Sequence, residues 1–263
     1  MDLKFGYETY QDVRHNLFLY STPFLIVAGF FAFFRVLPSQ TQQMVVQFLE
    51  SVSSTQPWKG LLGTSIGMGV FGGAAFLLTE ILQVHDQWYD KYIVKWRRQY
   101  AIDFILPRLL QPWLSHTNHR LFEVADVNAR QFQERLFYPY VGDRDLKIPK
   151  NKLIRFYEVV TVYWLTQINE IVLLGVSALI LYYAVFGPAD LSYRPKLLND
   201  LFIAIAVFIL NRAWAQASLT KVRRATEDEI ASILDSPDLK NDLELRVRRI
   251  CQDYAIPYGE IQN

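Results

Sequence analysis

Residues 60–100 read GLLGTSIGMGVFGGAAFLLTEILQVHDQWYDKYIVKWRRQY. The part from Gly60 to Thr79 contains no charged residue. About 20 helical residues at 1.5 Å rise match a hydrocarbon core of about 30 Å. The first half of this stretch therefore predicts a membrane-spanning helix, here span two.

The second half of the stretch is aromatic and basic. Large rings recur at helical spacing after Glu80, with arginine and lysine residues between them. Such residues are typical of the membrane–water interface, so we expect the helix to leave the bilayer through an aromatic, positively charged collar. The collar consists of Trp88, Tyr92, Trp96, Arg97 and Arg98.

Three further apolar segments flank this one. They predict span one at residues 15–34, span three at 159–186 and span four at 197–218. The predicted fold is therefore all-α, a polytopic membrane protein with four transmembrane helices, two of which extend into a helical cytoplasmic domain. The expected organisation is a cytoplasmic lead at 1–14, spans one and two with a short outer loop at 15–83, a cytoplasmic helical excursion at 84–155, spans three and four with a short outer loop at 156–218, and amphipathic cytoplasmic helices at 219–263.

The distribution of basic residues predicts the orientation. Residues 84–156 hold 13 Lys and Arg, and residues 212–263 hold 8. The two proposed outer loops and their flanks hold only Arg35, Lys59, Arg194 and Lys196. Because cytoplasmic loops are enriched in Lys and Arg, both termini and the central excursion are expected in the cytoplasm.

The intervening segments predict local structure. Residues 36–59 are expected to form a polar loop, and an amphipathic helix is expected from about Trp113 to Phe137. In the tail, Asp235-Ser236-Pro237-Asp238 predicts a helix end followed by a cap and a new helix.

Composition excludes several classes of protein. A net charge of +1 argues against general nucleic-acid binding. The single cysteine, Cys251, excludes intramolecular disulfides and cysteine-rich zinc sites. The sequence contains no nucleophile motif, dinucleotide fingerprint or kinase signature, so we expect neither an enzyme nor a cofactor.

Span two carries two pairs of glycines at four-residue spacing, Gly63 with Gly67 and Gly69 with Gly73. Small residues at this spacing allow helix backbones to approach closely within lipid. The glycines therefore predict a helix-packing surface, which would serve internal packing, a subunit contact or a pore-facing helix.

Glu170 and Arg212 interrupt spans three and four. Glu170 lies 16 residues from the outer end of span three at Phe186, and Arg212 lies 15 residues from the outer end of span four at Leu197. In antiparallel neighbours the two charges would reach nearly the same depth, so they are predicted to form an ion pair. Such a pair would orient the two helices, or it would belong to an ion or proton path.

Four residues of the excursion have spacings that metal ligands use on a helix. His116, His119, Glu123 and Asp126 follow one another at intervals of three, four and three. Imidazole and carboxylate groups at this spacing can bind zinc or iron. The alternative is a solvated polar face, which helix surfaces often present, and we therefore expect no bound metal.

A further segment resembles a known family. Trp96-Arg97, then Trp113-Leu114-Ser115 through Arg120-Leu121, then Asn128-Ala129-Arg130-Gln131 is similar to the first cytoplasmic loop of transporter membrane domains of the peptide-uptake and peroxisomal ABC type. The sequence departs from the family pattern around Asn128. The membrane domains of such transporters also contain two more spans than the four predicted here. The resemblance implies a transporter subunit.

Two other functional hypotheses have more support in the sequence than a transporter subunit. In the first, the protein is a non-enzymatic membrane subunit that oligomerises and presents a cytoplasmic helical platform to a partner protein of a membrane complex. In the second, it is a homo-oligomeric channel or pore, for example a defence effector, lined by span two or by the membrane-embedded charges.

Overall fold

The computed structural model describes residues 9–52, 73–81, 100–113, 120–142, 146–187 and 193–259. Within these residues all regular structure is helical, as the sequence predicts. The helices are α1 (Tyr10–Phe31), α2 (Ser39–Val52), α3 (residues 73–81), α4 (Leu106–Leu110), α5 (Arg120–Val127), α6 (Ala129–Leu136), α7 (Tyr138–Val141), α8 (Lys150–Phe186), α9 (Tyr193–Leu234) and α10 (Pro237–Asp253).

Three of these helices are long and apolar enough to cross a membrane. They are Tyr10–Val36, which is α1 with the π-helical turn that follows it, then α8, and the part of α9 from Lys196 to Leu234. With 37 residues, α8 is about 56 Å long and exceeds a hydrocarbon core of about 30 Å. Both α8 and α9 therefore continue beyond any segment that lies in lipid.

Span two lies mostly outside the described residues. Only its last part, residues 73–79, is described, and it is helical. Gly63, Gly67 and Gly69 are not described, and neither are Trp88, Tyr92, Trp96, Arg97 and Arg98 of the collar. Span two, its glycine surface and the collar therefore remain predictions.

Residues 39–52 correct the expectation of a loop between spans one and two. They form α2, a helix of 14 residues that begins after Pro38. The amide of Gln42 donates to the carbonyl of Pro38 at 3.0 Å, and its side chain donates to the carbonyl of Leu37 at 2.8 Å. Glutamine, methionine and leucine are good helix formers, so a polar composition was an insufficient reason to predict a loop.

The predicted helix from Trp113 to Phe137 is also wrong in part. Asn128, with φ −118° and ψ 31°, separates α5 from α6, and its side-chain amide donates to the carbonyl of Val124 at 3.0 Å. Asparagine competes with helical hydrogen bonding in this way, which explains the break.

The chain divides into two compact units. One comprises residues 14–87 and 161–217 and is called the apolar helical unit; the other comprises 1–13, 88–160 and 218–263 and is called the polar helical unit. In the apolar helical unit, α1, α8 and α9 share a core around Val36, Ile180, Leu197 and Ala204.

The core of the polar helical unit forms where α10 packs against α6. Leu243, Val247 and Ile250 are buried along one face of α10 at spacings of four and three, as expected of an amphipathic helix. Leu239, one turn earlier at the same spacing, is only partly buried. The rings of Phe132 and Tyr254 lie 5.7 Å apart at the end of this contact. The predicted boundary is confirmed as well, because α9 ends at Leu234 and α10 begins at Pro237.

Candidate functional site

The structure brings Glu170 and Arg212 together in the apolar helical unit. Arg212 Nη1 lies 3.1 Å from Glu170 Oε1 and 3.2 Å from Oε2. The Glu170 side chain is 2% exposed, whereas that of Arg212 is 46% exposed. The carboxylate is therefore the buried partner and depends on the arginine for its charge compensation.

A second polar contact links the same two helices. Asn211 Nδ2 donates to the main-chain carbonyl of Thr166 at 2.8 Å, and the hydroxyl of Thr166 donates to the carbonyl of Tyr163. These contacts and the shared core around Ile180 show that α8 and α9 are antiparallel within this unit. The predicted ion pair is therefore present, and it forms between antiparallel helices as the sequence predicts.

Two amide side chains near this pair are buried without a full set of partners. Gln167 is 2% exposed, and within the described part of the chain neither its Oε1 nor its Nε2 has a hydrogen-bond partner. Asn169 is also buried, and its Oδ1 has no partner among the same residues. A buried unsatisfied polar group costs about 1–3 kcal/mol, so such groups usually bind ordered water or an ion. Neither amide was predicted as part of a site from the sequence.

A second ion pair joins the π-helical turn that follows α1 to α9 and was missed from the sequence. Arg35 Nη2 lies 2.8 Å from Asp200 Oδ1, and Arg35 Nε donates to the same oxygen at 3.3 Å. Asp200 is fully buried, and no residue in the described ranges donates a hydrogen bond to its Oδ2. The sequence did contain a signal for this pair. Asp200 is the fourth residue of predicted span four, and a carboxylate within an apolar helix requires a cation nearby.

In the polar helical unit, Asp242 is the centre of a hydrogen-bonded cluster. Its Oδ2 accepts from the hydroxyl of Tyr140 at 3.0 Å, from Lys147 at 3.2 Å and from Arg246 at 3.1 Å. Burial acts to raise the pKa of Asp242, but the bonds from Arg246, Lys147 and Tyr140 outweigh it and hold the pKa below its usual value. The cluster fixes the first turns of α10 against α7, through Tyr140, and against the segment that follows α7, through Lys147.

Glu229 lies on the part of α9 that belongs to the polar helical unit and is almost fully buried. Neither of its carboxylate oxygens has a hydrogen-bond partner among the residues that the structure describes. Burial raises the pKa of Glu229 well above the usual value for a glutamate, and the negative charge of Asp228 adds a smaller increase. Nearby, the hydroxyl of Tyr100 donates to Thr226 Oγ1 at 2.9 Å.

Only two of the four candidate metal ligands lie in the described part of the chain. His116 and His119 lie outside the described residues, while Glu123 and Asp126 are exposed on α5. Among the described residues no group of three or more metal-ligating side chains comes together.

Comparison of the chain with known protein families, with curated proteins and with solved structures finds no match. The chemistry of the two helical units is therefore the basis for assigning a function.

Proposed function

We propose that the protein is a non-enzymatic integral membrane subunit that oligomerises and presents its polar helical unit as a cytoplasmic platform to a partner protein. In this proposal the chain has four spans, so both termini lie on one side of the membrane, and the distribution of Lys and Arg favours the cytoplasmic side. The glycines of span two then lie at a helix-packing or subunit interface. The observation that supports the platform best is the way α10 is fixed within the polar helical unit.

Contacts at both ends hold α10 in place. Near its start, Asp242 accepts from Tyr140 at 3.0 Å. At its end, Asp253 pairs with Arg135, and the hydroxyl of Tyr254 donates to Gln131 at 2.7 Å. A helix fixed in this way loses little conformational entropy when a partner binds it.

Large apolar side chains nonetheless remain exposed on this unit. Val127 is 80% exposed at the end of α5, and Leu245 is 56% exposed on the face of α10 opposite its buried residues. Exposed single apolar residues are common on protein surfaces, but on a rigid helical unit they are the natural contact points for a partner protein.

Purification from native membranes in mild detergent tests this proposal. We expect a soluble protein to co-purify at fixed stoichiometry, and we expect Val127→Asp with Leu245→Asp to release it. Lys240→Ala, an exposed change elsewhere on α10, serves as the control and should retain the partner. A chain that purifies alone as a symmetric ring with an axial opening would instead support a pore.

A homo-oligomeric channel is the second candidate. The buried amide of Gln167 favours it, because neither polar atom of this amide has a partner among the residues that the structure describes. Polar atoms buried next to the Glu170–Arg212 pair suit a water-containing path, because water would satisfy them and ions cross membranes along such paths.

Flux into liposomes that contain the purified protein tests the channel. A conducting protein should lose most of its ion or proton flux when Gln167 is replaced by leucine, which removes both polar atoms at similar volume. Thr22→Val, at another position on the spanning helices, serves as the control. Liposomes that are no leakier with the protein than without it would contradict a channel.

A further inference from the structure

The basic residues of the polar helical unit fall into two groups. Seven of those that the structure describes form ion pairs with an acidic residue. Lys221, Arg223 and Arg224 are exposed and form no ion pair with any residue that the structure describes. The same holds for Arg120, Lys240 and Arg249, but only Lys221, Arg223 and Arg224 lie together within four residues of one helix, α9. The paired residues are Arg108, Arg130, Arg135, Lys147, Arg155, Arg246 and Arg248.

The acidic residues that follow this basic cluster on α9 are already engaged or buried. Glu227 Oε1 lies 3.2 Å from Arg108 Nε, and Asp228 Oδ2 lies 3.0 Å from Arg155 Nη1. Glu229 is almost fully buried. The run Glu227-Asp228-Glu229 therefore does not neutralise the basic cluster, which keeps its positive charge at the surface.

The position of the cluster along α9 corresponds to the depth of lipid headgroups. The sequence predicts that span four ends at Ser218, and residues 221–224 follow this position by three to six residues on the same helix. At 1.5 Å per residue this is about 4.5–9 Å. The headgroup layer on each side of a hydrocarbon core is about 5–8 Å thick, so the three side chains reach the level of the phosphates.

One residue of the cluster is held in place by aromatic packing. The guanidinium carbon of Arg223 lies 5.7 Å from the ring centroid of Phe104, which is stacked on Tyr100 at 5.0 Å. A cation–π contact of this kind restricts the arginine while leaving its N–H groups exposed. An arginine held in this way loses less entropy when it binds an anion.

We propose that Lys221, Arg223 and Arg224 bind the phosphate headgroups of anionic phospholipids at the cytoplasmic membrane surface. The site depends on α9 crossing the membrane and is independent of any partner protein. Phosphodiester oxygens match the donors of two arginines and a lysine, and clustered basic residues beside a span are attracted to anionic lipid.

Native mass spectrometry of the full-length protein in detergent, with added phosphatidylglycerol or phosphatidylcholine, tests this proposal. We expect the protein to bind phosphatidylglycerol in preference to phosphatidylcholine. Each neutralised basic residue should weaken the binding about fivefold, and Lys221→Gln with Arg223→Gln and Arg224→Gln should weaken it on the order of 100-fold.

A matched variant removes the same charge elsewhere. Arg120→Gln with Lys240→Gln and Arg249→Gln neutralises three exposed residues of the polar helical unit and should bind phosphatidylglycerol as the unmodified protein does. The proposal is overturned if the first triple variant keeps its affinity, or if the matched variant loses as much. It is also overturned if inorganic phosphate displaces the lipid more than chloride does at equal ionic strength, because the site would then bind free phosphate.

Discussion

Charge exchange between Glu170 and Arg212 tests the ion pair of the apolar helical unit. Replacing Glu170 with arginine places a second positive charge where a buried carboxylate now accepts both bonds at 3.1 and 3.2 Å. Breaking a buried pair costs about 3–5 kcal/mol. Because Arg212 is 46% exposed, its own charge can be solvated in part, so we expect the lower end, about 3 kcal/mol.

The assay is thermal unfolding in detergent, followed by the loss of the monodisperse peak in size-exclusion chromatography. A loss of about 3 kcal/mol corresponds to a fall in Tm of about 6–12 °C for a chain of this size. Arg212→Glu should produce a similar fall. The double exchange, Glu170→Arg with Arg212→Glu, should restore at least half of the lost Tm because it reforms an ion pair.

A surface pair provides the control for this experiment. Arg155 and Asp228 are 3.0 Å apart, with side chains that are 59% and 37% exposed. Such pairs contribute about 0–1 kcal/mol, so Arg155→Glu should lower Tm little. The reasoning is refuted if Glu170→Arg is no more harmful than Arg155→Glu, or if the double exchange is as unstable as the single variants.

Three further predictions follow from the other buried or clustered charges. The folded-state pKa of Glu229 is raised, so stability should fall as pH rises through that pKa, and Glu229→Gln should remove this fall; thermal unfolding followed by intrinsic fluorescence over a pH series measures it. The folded-state pKa of Asp242 is lowered, so its contribution should be lost as pH falls through that pKa, and Asp242→Asn should reduce the fall of Tm at acid pH in the same series while lowering Tm at neutral pH. In the apolar helical unit, Arg35→Gln should lower Tm more than Asp200→Asn, since only the first leaves a buried carboxylate without its cation, and equal losses in a melting series would contradict this.

The sequence predicts the long helices and the Glu170–Arg212 contact for a simple reason. Both follow from hydrophobic length and helical rise, which are local properties that need no knowledge of packing. The start of α10 could also be predicted, because Pro237 is favourable at the first helical position and unfavourable inside a helix.

Other features depend on packing and could not be read from the sequence. Arg35 and Asp200 are 165 positions apart, so their contact depends on which ends of α1 and α9 meet. Whether Gln167 finds a partner depends on every side chain around it. The helix α2 was missed for a different reason, because its glutamine-rich composition resembles that of a loop although its residues favour a helix.

The central claim is that lipid surrounds the apolar helices of this chain, and alkaline extraction of membranes followed by removal of detergent tests it most directly. We predict that the protein stays in the membrane pellet after extraction and that, once purified, it aggregates when detergent is withdrawn, because large side chains such as Phe202, Ile209 and Leu210 are exposed on α9. A compact monomer that remains in solution without lipid or detergent would contradict the claim.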